Sequence, residues 1–214
     1  MSTASRLNGT GVRVDLLLIA DMIESGARVL DVGCDDGALL EHLARTKEVD
    51  GRGIELNQSA VKACVSCGLS VIQGDADQDL HDYPTQAFDY AVLSQTLQAT
   101  HNPKDVLEHL VRIGRSAIVS FPNFGYWRVR WQLMTRGRMP RTDTLAEVWH
   151  QTPNIHLCTI RDFLALCREL GITIDEQIFI DRRGKPGRIY GGGRLANFLA
   201  DMSVFRLSQR RWAG

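Results

Sequence analysis

Acidic side chains stand at or just beyond the ends of three consecutive apolar segments of this chain. Asp31 lies in the run RVLDVG, Glu55 ends the run RGIE, and Asp75 follows the run SVIQG. In open α/β sheets, ligands bind beyond the carboxyl ends of the parallel strands. Carboxylates accept hydrogen bonds from hydroxyl, amino and ammonium groups. The three acids therefore predict a shared site for a ligand that carries such groups.

The turn after the first of these segments has the composition of a ligand-binding loop. Gly33 and Gly37 permit backbone angles and close approaches that a side chain would prevent. Apolar residues then return at helical spacing, at Leu39, Leu40 and Leu43. The first N–H groups of a helix have no partner within that helix, so they are available to a ligand. The pattern predicts a buried strand, a glycine turn and a helix around the site.

The same turn discriminates between a dinucleotide, which carries a pyrophosphate, and a nucleoside ligand without phosphates. A dinucleotide fingerprint, GxGxxG or GxGxxA, would have to use Gly33, Asp35 and Ala38. The carboxylate of Asp35 would repel a pyrophosphate, whereas S-adenosylmethionine (AdoMet) is a sulfonium without phosphates. The string DVGCDDG resembles motif I of class I AdoMet-dependent methyltransferases, DxGxGxG, with Asp35 in place of the middle glycine. If that position needs a left-handed backbone, Asp adopts it at a cost of only about 1 kcal/mol.

The motif I resemblance implies a cofactor site for AdoMet or S-adenosylhomocysteine. Glu55 lies about 20 residues past the turn, where an acid can accept both ribose hydroxyls. Asp75 resembles the contact to the adenine amino group, with Ala76 against the ring, and Gln95 can reach the methionine part. The predicted cofactor-binding residues are Asp31, Gly33, Cys34, Gly37, Glu55, Leu56, Asp75, Ala76 and Gln95.

The rest of the chain alternates between helix and strand patterns. Further helices are predicted over residues 13–24 and 58–67, from Asn102 as the cap with Pro103 in the first turn, and from Thr159 as a second cap. Further strands are predicted at residues 88–93, 117–121, 172–180 and 204–207. This order predicts one α/β domain over residues 1–214 with a doubly wound, mainly parallel sheet. The resemblance implies the seven-stranded class I methyltransferase version, with an antiparallel final hairpin.

The composition excludes several function classes. Twenty-five basic and 25 acidic residues give a formal net charge of zero, so no overall field recruits nucleic acid or an anionic membrane. Residues 1–10 lack the apolar core of a signal peptide, and the apolar run at residues 16–20 is too short to cross a bilayer. We therefore expect a cytoplasmic protein.

The pair Cys64 and Cys67 has no accompanying Cys or His pair, so no metal is expected, and one of the two thiols should face the core.

Methyl-transfer chemistry is harder to find in the sequence than cofactor binding. The fourth strand runs into SQTLQ instead of the D/N-P-P-Y/F loop of base-amine methyltransferases, and no cysteine follows a proline, as a cytosine-methylating nucleophile would require. His156 is the candidate catalytic residue, because a histidine near a substrate can act as a general base at neutral pH.

Residues 122–158 form an insertion with an unusual composition. Trp127 and Trp131 lie one helical turn apart and are flanked by several arginines. This pattern fits an RNA-binding platform, an amphipathic helix over the cofactor pocket, or a partner surface. Overall neutrality favours a lid or partner surface over nucleic acid.

Several strings together resemble the MetW family of methionine biosynthesis proteins. These are motif I, SQTLQ from Ser94, FPNFGYW from Phe121, GRMP from Gly137 and TPNIH from Thr152. The resemblance covers residues 13–180 and implies a bacterial cytosolic protein that supports homoserine O-acyltransferase. Two functions then stay open. One is an AdoMet-binding accessory of that acyltransferase, and the other is a catalytically active small-molecule methyltransferase.

Overall fold

The structure, a computed structural model, describes residues 12–187 and 193–209. The predicted absence of a signal peptide concerns residues 1–10, which lie outside the described residues. The described chain forms one sheet with the strand order β3-β2-β1-β4-β5-β8-β6-β7. The strands are β1 (Arg28–Val32), β2 (Asp50–Glu55), β3 (Ser70–Gln73), β4 (Phe88–Ser94), β5 (Gly114–Pro122), β6 (Ile172–Ile180), β7 (Pro186–Gly187) and β8 (Met202–Gln209).

Helices connect most of these strands. They are α1 (Val14–Asp21), α2 (Ala38–Lys47), α3 (Gln58–Ser66), α4 (Ala76–Asp79), α5 (Pro103–Ile113), α6 (Trp127–Arg136), α7 (Ile160–Glu169) and α8 (Arg194–Leu199). Short 3-10 turns follow α4 and β4. Helix α8 is an element that the apolar pattern did not predict.

The predicted sheet topology is confirmed. Strands β1 to β5 pair in parallel, whereas β8 pairs antiparallel to both β5 and β6. The two-residue strand β7 adds an eighth member at the edge beside β6. The change of winding direction at β1 and β4 places their carboxyl ends on either side of a crevice, which is where open α/β sheets bind ligands.

Two apolar layers enclose the sheet. Alternate residues of β4 divide between them, with Tyr90 and Val92 packing toward α1 and α2, and Ala91 and Leu93 packing toward α5 and α7. Helices thus cover both faces of the central strands. This explains why those strands are apolar at nearly every position.

The predicted cap positions Thr159 and Asn102 and the predicted burial of one of two neighbouring thiols are confirmed. Thr159 caps α7 through a capping box with Asp162, and of the two neighbouring thiols Cys64 is buried while Cys67 is exposed. Asn102 occupies the cap position of α5, but its side chain makes no capping hydrogen bond. The carboxylate of Asp77 accepts from the backbone N–H groups of residues 101 and 102 at 2.8 Å each. This long-range acid thus holds the two residues that lead into α5, while the capping bond expected from the Asn102 side chain is not formed.

A buried asparagine joins four elements at the carboxyl end of β5. The Asn123 Nδ2 group donates to the carbonyl oxygens of Asn197 at 3.0 Å and Ala200 at 2.8 Å. Its Oδ1 atom accepts from the backbone N–H groups of Gly125 at 2.9 Å and Ile160 at 3.3 Å. Asn123 thereby fixes the segment before α6, the start of α7 and the end of α8 relative to the sheet.

We predict that Asn123→Ala lowers the free energy of unfolding by about 3 kcal/mol, because it leaves several buried backbone groups without partners. Asn57→Ala, which removes the exposed cap of α3, should cost only about 1 kcal/mol. Urea denaturation of both variants measures the difference. Equal losses would contradict the role of Asn123 as a buried junction.

Candidate functional site

The turn between β1 and α2 uses left-handed backbone at three positions. The φ angles are +71° at Gly33, +48° at Asp35 and +76° at Gly37. Asp35 thus adopts the conformation for which the middle glycine of the resembled motif is suited. A side chain at Gly33 would lie 2.6 Å from the Thr96 hydroxyl, and one at Gly37 would lie 2.5 Å from Leu69. A side chain at either glycine would therefore force its neighbour to shift and would also have to adopt a positive φ.

Glu55 holds this turn against the end of β2. Its Oε2 atom accepts from the backbone N–H of Asp35 at 2.9 Å, and its Oε1 atom accepts from the backbone N–H of Asn57 at 2.8 Å. Each carboxylate oxygen has a second lone pair, so both can accept further hydrogen bonds. Glu55 is half-buried, which leaves its carboxylate accessible from solvent.

Asp31 is a buried acid with an unsatisfied oxygen. The residue is 2% exposed, and its Oδ1 atom makes no hydrogen bond within the described part of the chain. Burial raises the pKa of Asp31 to about 7, and the charges of Glu55 and Asp36 add to the increase, while Arg13 opposes it. A buried polar atom without a partner is costly, so this oxygen is a candidate contact for a ligand donor.

A partly buried ionic cluster lies next to this acid. Arg13 donates to Asp15 at 2.7 Å and to the Ser94 hydroxyl at 2.6 Å. Asp15 also accepts from Gln95 at 3.1 Å and from Ser120 at 3.2 Å. The Arg13 guanidinium and these hydrogen bonds lower the pKa of Asp15, although burial acts in the opposite direction and is the largest single effect. The cluster fixes the start of α1 to the ends of β4 and β5.

A cavity of about 200 Å³ opens between this cluster and the insertion. Arg13, Gly33, Asp35, Gln95 and Thr96 line its sheet side. Its opposite side is formed by residues within 139–157, which we call the cavity loop. These include Met139, Pro140, Leu145, Glu147, Trp149 and Leu157. No residue of α6 is among the described residues that line it, so the predicted helix is present but a loop covers the cavity.

The structure brings part of the predicted cofactor set together at this cavity. Gly33 and Gln95 line it directly, and Gln95 is itself held in a left-handed conformation with φ of +56°. The other predicted residues lie near the strand ends, outside the cavity lining. Of these, Leu56 is exposed, and Asp75 caps α4 by accepting from the N–H of Asp77 at 2.9 Å. Cys34 is buried, and Ala76 packs partly against the core.

His156 is exposed and is not among the residues that line the cavity. Its Nε2 atom lies 3.3 Å from the carbonyl oxygen of His101. The carbonyl oxygen of Gln98 holds the last part of the cavity loop, because it accepts from the N–H groups of both Ile155 and His156, at 2.9 and 3.0 Å. The Gln98 side chain donates to the carbonyl oxygen of Pro122 at 3.0 Å. The strings SQTLQ and TPNIH thus form one structural unit.

Sequence reasoning missed Arg13 and Asp15 as residues of the site. The available signal was weak: a charged pair at the start of an apolar helix, separated from motif I by a full helix and a strand. Among the described residues, no group of three or more His, Cys, Asp or Glu side chains is arranged to hold a metal ion. None of the described helices combines the length and apolar character needed to cross a membrane.

We predict that Asp31 makes stability depend on pH. The folded state holds its proton up to about pH 7, whereas the unfolded state releases it near pH 4. The stabilisation is therefore complete below pH 4 and is lost as pH rises to about 7. One pKa unit corresponds to about 1.4 kcal/mol, so the loss in wild type should reach several kcal/mol.

Urea denaturation of wild type and Asp31→Asn at several pH values between 5 and 8 measures this effect, because Asp15 stays ionised throughout. As pH rises, wild type should lose stability relative to Asp31→Asn. Asp50→Asn, at an exposed position, should follow wild type. A difference between wild type and Asp31→Asn that is independent of pH would contradict the assignment.

Comparison with known proteins agrees with this geometry. The chain is similar in fold to a SAM-dependent methyltransferase from Archaeoglobus fulgidus, with 15% identity, a TM-score of 0.67 and coverage of 91% of both chains. It is 35% identical over 99 residues to the fatty-acid O-methyltransferase of Mycolicibacterium smegmatis, which covers 44% of this chain and 35% of that protein. The predicted methyltransferase fold class is confirmed.

A more extensive similarity concerns methionine biosynthesis. The chain is 36% identical over 179 residues to the bifunctional methionine biosynthesis protein MetXA/MetW of Rhodopirellula baltica. The match covers 79% of this chain but only 29% of that relative. The family model described as methionine biosynthesis protein MetW matches residues 13–207, beyond the limit of residue 180 inferred from the motifs. The chain therefore belongs to the MetW family of methionine biosynthesis proteins.

Proposed function

We propose that this protein binds AdoMet on its methyltransferase fold and, in response, supports a homoserine O-acyltransferase in methionine biosynthesis. The observation that carries the AdoMet proposal is the buried Asp31 carboxyl at the end of β1, whose Oδ1 atom is unsatisfied and which interacts electrostatically with the cavity-lining Arg13. An ammonium or sulfonium group nearby would favour the ionised form of this acid, whereas a phosphate would oppose its ionisation.

The balance of charge around the turn supports a cationic ligand. Asp31, Asp35, Asp36 and Glu55 interact electrostatically at this end of the sheet, and Arg13 is the cation that acts on both Asp31 and Asp35. AdoMet carries a sulfonium, an ammonium and a carboxylate. We assign its ammonium to the neighbourhood of Asp31, its carboxylate to Arg13 and its ribose hydroxyls to Glu55. These assignments match each ligand charge with an opposite or accepting group.

The partner proposal rests on the Rhodopirellula baltica relative. That protein is named for both MetXA and MetW, and the similarity to this chain covers less than a third of its length. One chain that carries both units keeps them at high effective concentration. We infer that the unit represented here acts together with an acyltransferase unit.

AdoMet is a downstream product of methionine. Its binding to this protein would therefore make the activity of the acyltransferase depend on how much product the pathway has formed. The cavity loop provides the physical connection. It lines the cavity and is tied to α6, because the Gln132 side chain accepts from the N–H of Arg141 at 3.1 Å and donates to its carbonyl oxygen at 3.2 Å. A ligand that favours one position of this loop shifts partner affinity only through such differential contacts.

We predict that Glu55→Ala weakens AdoMet binding by about 1–3 kcal/mol through the loss of charge-assisted ribose contacts. Isothermal titration calorimetry with AdoMet and S-adenosylhomocysteine measures the change. Cys67→Ser is the matched control, because Cys67 is an exposed residue next to α3, and it should bind as wild type does. Equal affinities for the Ala variant and wild type would refute the ribose assignment.

We further predict that AdoMet changes the affinity of this protein for purified homoserine O-acyltransferase by at least about fivefold, a coupling of about 1 kcal/mol. Titration of the acyltransferase with this protein, with and without saturating AdoMet, measures both complex formation and acyltransferase activity. If neither property changes at saturating protein, the accessory function is wrong.

The apolar lining of the cavity favours a second candidate function, methyl transfer to a small apolar molecule. Met139, Leu145 and Leu157 give the loop side of the cavity an apolar surface, and Glu147 also lines it. The local similarity to a fatty-acid O-methyltransferase is consistent with such an acceptor. His156, the predicted general base, would have to move to reach the cavity. Transfer of labelled methyl groups from AdoMet to a cell extract, compared with the Glu55→Ala variant, distinguishes this function from the accessory one.

A further inference from the structure

Large apolar side chains are unevenly distributed over the surface of the described chain. On α6, Trp127, Trp131 and Met134 are 41%, 56% and 71% exposed. On α8, Leu195, Phe198 and Leu199 are exposed by 54%, 46% and 43%. We call these six residues the α6–α8 face. Monomeric proteins rarely expose contiguous apolar patches of this kind unless the patch binds something.

The residues of this face follow helical periodicity on both helices. The spacing is i, i+4 and i+7 on α6, and i, i+3 and i+4 on α8, so each set forms one stripe. An amphipathic helix normally turns such a stripe toward the core, but α6 buries Val129 and exposes its tryptophans. The guanidinium carbon of Arg130 lies 5.9 Å from the ring centroid of Phe198. This contact joins the stripe on α8 to a residue of α6 that immediately precedes Trp131.

The same region carries an excess of positive charge. Residues 127–141 contain five arginines and no acidic residue, although the whole chain has a net charge of zero. Trp, Met, Phe and Arg are the residue types enriched at protein interfaces. The α6–α8 face therefore fits an apolar partner surface that is bordered by acidic side chains.

We propose that the α6–α8 face is the docking surface for the homoserine O-acyltransferase. This inference rests on the partner named under the proposed function and assigns the contact to a specific surface. The relative that unites both units in one chain favours a protein partner over a membrane or a second copy. The link between Gln132 and Arg141 connects this surface to the cavity loop, so a docked partner would be sensitive to occupancy of the cavity.

The test compares exposed variants, which leave the core intact. Trp131→Ala and Met134→Ala should each weaken binding of purified acyltransferase, with the tryptophan variant at least about thirtyfold weaker, as is typical of an interface hot spot. Arg136→Glu should slow association and reduce its dependence on salt. Val65→Ala and Ile72→Ala, at other exposed apolar positions on α3 and β3, should bind as wild type does.

The outcomes separate the two proposals. If wild type binds the acyltransferase and the α6 variants bind equally well, the docking surface is wrong while the partner stands. If wild type does not bind the acyltransferase at all, the proposed partner is wrong, and the assignment of the α6–α8 face to that partner is wrong as well. Sedimentation velocity and co-flotation with phosphatidylglycerol vesicles complete the set. Self-association or vesicle binding that the Trp131→Ala variant abolishes, without acyltransferase binding, overturns the proposal.

Discussion

The excess of carboxylates at the ends of β1 and β2 is the constraint on which the rest of the site depends. Asp31 is buried there beside Asp36 and Glu55, with Arg13 as an opposing charge. Burial of like charges is expensive, so the structure must either protonate an acid, pair it or supply a cation. The fold does the first at Asp31 and the second at Asp15, whose carboxylate holds Arg13 in position. A ligand with positive charge would complete the compensation.

Two buried amides determine the shape of the insertion between β5 and α7. Asn123 joins the end of β5 to α7 and α8, and Gln98 holds both Pro122 and the end of the cavity loop. With its ends fixed in this way, the insertion has an inner part, the cavity loop, and an outer part, α6. The family strings in this region thus act first as structural junctions. Their polar side chains satisfy backbone groups that irregular chain would otherwise bury without partners.

This division assigns the two parts of the insertion to different surfaces. The cavity loop faces the strand ends, where AdoMet is proposed to bind, while the apolar stripe of α6 faces outward. The Gln132 side chain on α6 forms hydrogen bonds with both backbone groups of Arg141 in the loop, so the two surfaces are directly linked. In the proposed accessory function, this arrangement would transmit ligand binding to the partner without methyl transfer.

The sequence by itself determined the α/β class, the parallel order of the first strands and the glycine turn, because periodicity and backbone preferences are local properties. It also indicated Thr159 as a helix cap and showed that Asp35 can adopt a left-handed backbone at low cost. Only the tertiary structure decided that Asp77 holds the backbone just before α5, that Arg13 pairs with Asp15 beside the cavity, and that α6 turns its tryptophans outward. These features depend on contacts between residues far apart in the chain, and the spacing of residue types carries no information about which distant groups meet.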